Sequence, residues 1–251
     1  MRRIIFTFSA AILFCLLPSC NRILKEEPTT LMTYDASFES VKSLDAQMYA
    51  IYRSFNDGTL GTPMFYYLNH ASLLVHWKGT TRSGNEYEQC LRGTLYSTGT
   101  SGKGIMSNFF TTINRCNAII AGLETSPVAE AEKLEIDGEA RFMRAVCYFY
   151  LVRLFGDLPL HLKPTGSLRE SYVRRTPYNE VYRQIIEDLK FAEENMRTEA
   201  RQAELTGDNG RPHRWAASAF LASVYNQIAS ILSSPDDQAF GTEATGPLTP
   251  D

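Results

Sequence analysis

Two groups of side chains in this 251-residue chain carry chemistry by their type and position. The first is a single thiol. Leu17-Pro18-Ser19-Cys20 closes an apolar stretch, Ile4 to Leu17, that follows the basic pair Arg2-Arg3. A cationic start, a short apolar run and a small residue before the cut make a secretory signal peptide. The run is too short for a spanning helix, which needs about 20 residues to cross about 30 Å of hydrocarbon. Leu17-Pro18-Ser19-Cys20 resembles a lipobox, in which the cysteine is acylated and becomes the mature N-terminus. Cys20 is then the lipidation site, 1–19 the lipoprotein signal peptide and 20–33 a lipidated tether. Two or three acyl chains of the palmitate kind hold firmly, each buried CH₂ contributing about 0.8 kcal/mol. The plainer alternative is an ordinary secretory signal that Cys20 merely follows.

The second group is aromatic. Tyr66, Tyr67, Trp77, Tyr87 and Tyr96 alternate with polar residues, among them Asn69, Lys78, Arg82, Asn85 and Glu86. Sugar rings offer apolar C–H faces edged by hydroxyls, which suit flat aromatics beside amide and charged groups. Trp77, Tyr66, Tyr67, Tyr87, Tyr96 and Asn85 are therefore the candidate ligand-binding residues. Trp77 leads, because the other tryptophan, Trp215, falls on a helix face. The competing reading is that these rings only pack their loop against the body.

Other chemistries find no support. The four histidines, His70, His76, His161 and His213, are scattered, and no His-Glu-x-x-His zinc signature occurs. Gly99-Thr100-Ser101-Gly102-Lys103-Gly104 superficially resembles a phosphate loop but lacks the Ser/Thr after lysine, and reads as a flexible loop. No Gly-x-Ser-x-Gly elbow is present, and carboxylate pairs such as Glu193-Glu194 fall on a helix surface. No enzyme, metal site or cofactor is expected. A net charge of −3 without a basic block argues against nucleic acid as a partner. After Cys20 come Cys90, Cys116 and Cys147, too few and too scattered for a disulfide framework. Cys116 and Cys147 fall within helical patterns and read as small apolar packers.

The elements that would position these groups are helices. Apolar residues at three- and four-residue steps predict helices over about 35–55, 105–123, 128–155, 176–196 and 212–232. The first is predicted to bury Phe38, Val41, Leu44, Met48, Ile51, Tyr52 and Phe55; the second is predicted to bury Met106, Phe109, Phe110, Ile113, Cys116, Ile120 and Leu123. The third is apolar nearly all round from Ala145 to Phe155 and ends at Gly156-Asp157. Thr176-Pro177 reads as N-cap and first-turn proline of the fourth. The fifth is predicted to bury Trp215, Ala219, Ala222, Tyr225, Ile228 and Leu232. The long stretch 57–104 shows no helical period, and a loop of that length is more often functional than idle. The predicted fold is all-α, with tetratricopeptide-like grammar in Leu221-Ala222-x-x-Tyr225 and Ala145-x-x-Tyr148.

Several motifs in one order carry a family resemblance. Gly138-Glu139-Ala140-Arg141-Phe142-Met143-Arg144-Ala145 through Gly156-Asp157-Leu158-Pro159-Leu160 resembles the signature segment of the SusD/RagB family of outer-membrane lipoproteins. Phe110-x-x-Ile113-x-x-Cys116-Asn117 resembles the helix before it. Arg175-Thr176-Pro177-Tyr178 and Gly210-Arg211-Pro212 with Trp215-Ala216-Ala217 resemble those after it. The resemblance implies tetratricopeptide-like repeats with long inserted loops, in a SusD-like N-terminal helical domain over 34–251. Family members are longer, so that domain is expected to be truncated and incomplete. It also implies a lipid-anchored, surface-facing outer-membrane protein that captures oligosaccharides or another small nutrient for a SusC-like TonB-dependent transporter. The competing readings are a helical-repeat scaffold lipoprotein facing the periplasm, or a non-functional remnant. Arg141, Arg144 and Arg153, set in a mostly apolar helix, are expected to bond carboxylates or loop carbonyls, because unpaired buried cations are costly.

Overall fold

The structure, a computed structural model, describes residues 35–56, 100–206 and 210–233. The chain divides into two units, Met1–Ser37 and Phe38–Asp251. The first lies almost wholly outside the described residues. A 3-10 turn at Asp35–Phe38 leads into the second, whose helices are α1 (Val41–Ser54), α2 (Thr100–Leu123), α3 (Glu130–Phe155), α4 (Leu168–Ser171), α5 (Tyr178–Asn195), α6 (Glu199–Thr206) and α7 (Arg214–Ser233). Two-residue strands β1 (Leu158–Pro159) and β2 (Arg175–Thr176) pair antiparallel, Leu158 opposite Thr176.

Among the described residues the fold is mainly helical. α2, α3, α5 and α7 each pack on the next in chain order, and α1 lies against α2 and α3. This nearest-neighbour stacking is the repeat architecture that the small–aromatic spacing predicted. α3 is central. From Ile136 to Val152 nearly every side chain is buried, including Met143, Ala145, Cys147, Tyr148 and Leu151. Each such Leu or Ile contributes about 1.5–3 kcal/mol. Gly138 shows how close the helices come: a Cβ there would sit 3.0 Å from the backbone nitrogen of Met196 at the end of α5. Any larger residue would push α3 and α5 apart by a few tenths of an ångström at that point.

Four local readings change. The first helix does not run unbroken from 35. Ser40 and Ser43 form a reciprocal capping box that starts α1 at Val41; serine at the third helical position, where glutamate or glutamine is usual, hides the signal. α2 begins at Thr100, not 105, so the glycine-rich stretch becomes helix rather than loop. Ile105 and Phe109 are buried, and adding turns to an anchored helix costs little compared with nucleating one. Thr176 does not cap α5 but belongs to β2; Pro177 holds the cap position without a side-chain bond. The Asp157 carboxylate accepts the Tyr178 N–H instead, at 2.9 Å. Gly156, at φ 67°, ends α3 in the left-handed conformation that swings Asp157 there. Finally, α6 had no apolar period to announce it; over 199–205 only Gln202 is buried.

Candidate functional site

The sequence-derived ligand residues Trp77, Tyr66, Tyr67, Tyr87, Tyr96 and Asn85 lie outside the described residues, as does Cys20. What the structure does define is the frame from which that aromatic segment departs. Phe55, just after α1, packs edge-on against Phe109 at 6.2 Å between ring centroids, and Tyr150 lies 6.5 Å from the same ring. The segment therefore leaves an aromatic corner of α1, α2 and α3.

Two buried polar clusters brace the frame. In one, Arg144 of α3 grips Asp188 of α5 with both ends of its fork, Nε to Oδ2 at 2.8 Å and Nη2 to Oδ1 at 2.7 Å. Its third donor, Nη1, reaches Asn117 Oδ1 of α2 at 2.8 Å. Asn117 then donates to the carbonyls of His161 at 2.9 Å and Lys163 at 3.2 Å. Tyr148 accepts the His161 N–H at 2.7 Å, and Asn114 Oδ1 accepts the Thr165 N–H at 2.7 Å. One charge pair thus reaches through an amide to clamp residues 161–165 on α2 and α3. Burial lowers the pKa of Arg144, but the bonds and charge of Asp188 outweigh it and the net shift is upward.

The second cluster joins α1, α3 and the chain on either side of α6. Arg211 forks onto Glu139, both contacts at 2.5 Å, and approaches Asp45 at 2.8 Å. Tyr52 donates its hydroxyl to Glu139. Arg197 bonds Asp45 at 2.9 Å and Glu135 at 3.1 Å. Burial, then the Glu139 charge, raises the Tyr52 pKa well above its usual value. Arg211 is also raised: burial opposes its charge, and Glu139 overrides burial.

These groups are paired with one another, an arrangement that resists proton transfer. A general acid and base need environments that drive their pKa values apart; here each carboxylate holds a cation. Burial pushes Cys116 up to about 12 and Cys147 well above its usual value. Both are therefore neutral packing groups, not nucleophiles. Among the described residues no group of three or more His, Cys, Asp or Glu could hold a metal, and no helix is long and apolar enough to cross a membrane. A cleft of about 240 Å³ opens near the α2–α3 turn over Ile120, Leu123 and Leu134. Of the charges at its edge, Lys133 pairs with Glu130 and Arg141 with Asp137.

Of the three signature arginines, Arg144 meets the expectation most fully. Arg141 bonds Asp137 at 2.8 Å and stacks on Phe191. Arg153 departs from it: exposed in the last turn of α3, it rests over the Phe149 ring at 5.1 Å. α7 departs further. Its buried residues are Ala217, Leu221, Val224 and Ile228, whereas Trp215 is 59% exposed and Ala219 and Ala222 are also exposed. The helix carries two apolar stripes and packs only one of them on α5. Periodicity alone could not choose between the stripes. The exposed aromatics Trp215, Tyr172 and Tyr49 thus join the surface features that sequence reasoning had not singled out.

Comparison with known proteins agrees with this architecture. The profile of a SusD-like family described as "starch-binding associating with outer membrane" matches residues 27–226. A SusD-like protein of Bacteroides ovatus is 35% identical over 128 residues, 49% of this chain and 22% of that protein. A SusD superfamily protein of Bacteroides vulgatus superposes with a TM-score of 0.65 at 20% identity, over 84% of this chain and 46% of the other. A protein crystallised with xylogluco-oligosaccharide superposes with a TM-score of 0.56 at 25% identity, over 73% and 34%. The chain spans less than half the length of each of these relatives.

Proposed function

The chain belongs to the SusD-like family, and on that premise we propose that it binds glycans at the outer membrane and delivers them to a SusC-like TonB-dependent transporter. The observation that carries the reading is the match of residues 27–226 to a family described as starch-binding and associated with the outer membrane. The relative crystallised with xylogluco-oligosaccharide supports it as a second, separate indication. Residues 1–19 act as the lipoprotein signal peptide, 20–33 as the tether acylated at Cys20, and 34–251 as the helical body. The protein faces the cell exterior and breaks no bond. Glycans are held by stacking on rings of the aromatic segment, with Trp77 foremost, followed by Tyr66, Tyr67, Tyr87 and Tyr96 and by the Asn85 amide.

The physical rationale is a division of labour. A braced helical frame loses little entropy on binding, and a loop rooted on it can vary its rings without disturbing the core. Affinity electrophoresis against a glycan panel, repeated with Trp77→Ala, tests the ligand half. Retarded migration on at least one glycan, lost in the variant, is expected; retention unchanged by the substitution removes Trp77 from the site. Co-purification from detergent-solubilised outer membranes tests the delivery half, which fails if no TonB-dependent transporter is recovered. A scaffold reading draws on the exposed second stripe of α7. Protease shaving of intact cells separates the two, since a periplasmic scaffold survives it.

A further inference from the structure

The link from α3 to α5 is held at its base and open at its tip. β1 and β2 zip its ends together, and Asn114, Asn117 and Tyr148 clamp residues 161–165 to the helices. Beyond the clamp, residues 166–175 are exposed without interruption. Leu168 is 75% exposed, Tyr172 80% and Val173 44%. Leu168 and Tyr172 stand four residues apart across α4, which sets them on one side of its single turn. Ser167 Oγ accepts the Glu170 N–H at 3.4 Å, and the Glu170 carboxylate folds back to accept the Gly166 N–H at 2.8 Å. The tip's one carboxylate is thereby turned onto backbone. Lys163, Arg169, Arg174 and Arg175 are exposed around it, and none makes an ion pair among the described residues.

An apolar tip within a basic collar, on a chain of net charge −3, complements an anionic lipid surface. Leucine and tyrosine enter the headgroup region while guanidinium groups meet phosphates. We propose that residues 162–175 form a finger that rests on anionic lipid headgroups and orients the helical body against the membrane. A protein partner fits less well. A stable protein interface engages about 20–30 residues a side, whereas the finger offers one convex turn that a soft surface can accept. The contact requires neither glycan binding nor the acyl group at Cys20.

Co-sedimentation with vesicles tests it, using the full chain carrying Cys20→Ser so that no acyl chain contributes. Vesicles of phosphatidylcholine alone are compared with vesicles containing phosphatidylglycerol, at low salt. Each basic residue near an anionic surface changes partitioning about fivefold. Arg174→Glu with Arg175→Glu is therefore expected to weaken binding to the anionic vesicles at least about 25-fold. Leu168→Asp with Tyr172→Ser is expected to weaken it as well. Binding to neutral vesicles, which reads the apolar stretch Ile4 to Leu17, stays the same in all three proteins. Because these side chains are exposed, far-UV circular dichroism should be unchanged. Equal sedimentation of all three proteins, or no preference of the unsubstituted chain for anionic vesicles, overturns the proposal. So does finger-dependent capture of a membrane protein with vesicle binding unaffected, which would make the finger a protein contact.

Discussion

Replacing Asp188 with alanine is the most informative single perturbation of the frame. Asp188 is fully buried and receives both ends of the Arg144 fork, with a further bond from Gln184 at 3.2 Å. Removing the carboxylate leaves a guanidinium that is 3% exposed with only Asn117 for company. Arg141, whose nearest nitrogen is 4.0 Å from Asp188, is itself a cation and adds like charge beside Arg144 once the carboxylate is gone. Breaking a buried pair from one side costs about 3–5 kcal/mol. In a domain of this size each kcal/mol lowers Tm by about 2–4 °C, so a drop of about 6–20 °C is expected. Urea unfolding followed by circular dichroism gives the free energy directly. The double variant Arg144→Met with Asp188→Leu sharpens the logic, because removing both charges is often close to neutral. Here recovery should be incomplete. Asn117 Oδ1 loses its buried donor, and an orphaned acceptor costs about 1–3 kcal/mol. A loss under about 1 kcal/mol for Asp188→Ala, or a double variant no better than the single one, would refute the view that Arg144 depends on Asp188.

Alkaline stability should report the buried thiols. Burial raises Cys116 to about 12 and Cys147 in the same direction, while the unfolded thiol ionises near 8.5. The folded state keeps protons that the unfolded state releases, so this contribution is whole below about pH 8.5 and declines as pH rises toward 12, by about 1.4 kcal/mol per pH unit per thiol. Urea titrations at pH 7 and 10 should show the loss, and Cys116→Ala should flatten it; an unchanged slope contradicts the assignment. Gly122→Ala should destabilise by about 1–3 kcal/mol, because the added Cβ would overlap the Phe38 ring. Thermal melts that match the unsubstituted protein would mean that this packing is absent. Trp215, at 59% exposure, should be quenched freely by acrylamide in a Trp77→Phe background. A shielded Trp215 would show that something covers the outer stripe of α7 in solution.

The five long helices and their order were legible because burial writes itself into sequence at a fixed period, whereas the short α4 and α6 carry no such period. α5 buries Val181, Ile185, Leu189 and Ala192, and α3 was marked by its lack of a polar face. α1 and α2 bury part of their stripes and leave Val41, Tyr52, Phe55, Met106, Phe110 and Ile120 half-buried. The ends were less legible, for reasons particular to each. The α5 cap comes from Asp157, across a hairpin whose pairing no local pattern specifies. α7 carries two stripes of similar apolar content, and only the position of α5 decides which is buried. The arginine cluster was half legible. A cation inside an apolar helix demands an anion, so Arg144 had to have a partner. That the partner would be Asp188, 44 residues on, required the fold.

The same contrast explains why the site is harder to read than the frame. Core positions answer to one requirement, exclusion of water, and their residue types repeat it every turn. A ligand-binding segment, as we propose for the aromatic stretch after Phe55, would answer to its ligand, whose ring geometry is recorded nowhere else in the chain. Residue type can nominate Trp77 or Tyr66, but it cannot rank them. The α3–α5 link shows how the two requirements meet. Buried Asn117 and Tyr148, with half-buried Asn114, commit side-chain hydrogen bonds to backbone groups of 161–165, a poor use of such positions if the link were only a connector. Those bonds make sense if the tip beyond must be held in place. A clamp of three side chains fixes where Leu168 and Tyr172 are presented, while leaving both free of the core. Asn117 belongs to the clamp and to the Arg144–Asp188 pair alike, so loss of the pair should loosen the link as well as the core. Hydrogen exchange at the His161 and Thr165 amides in Asp188→Ala should therefore accelerate more than global destabilisation alone would give. Equal acceleration across α3 and the link would separate the clamp from the pair.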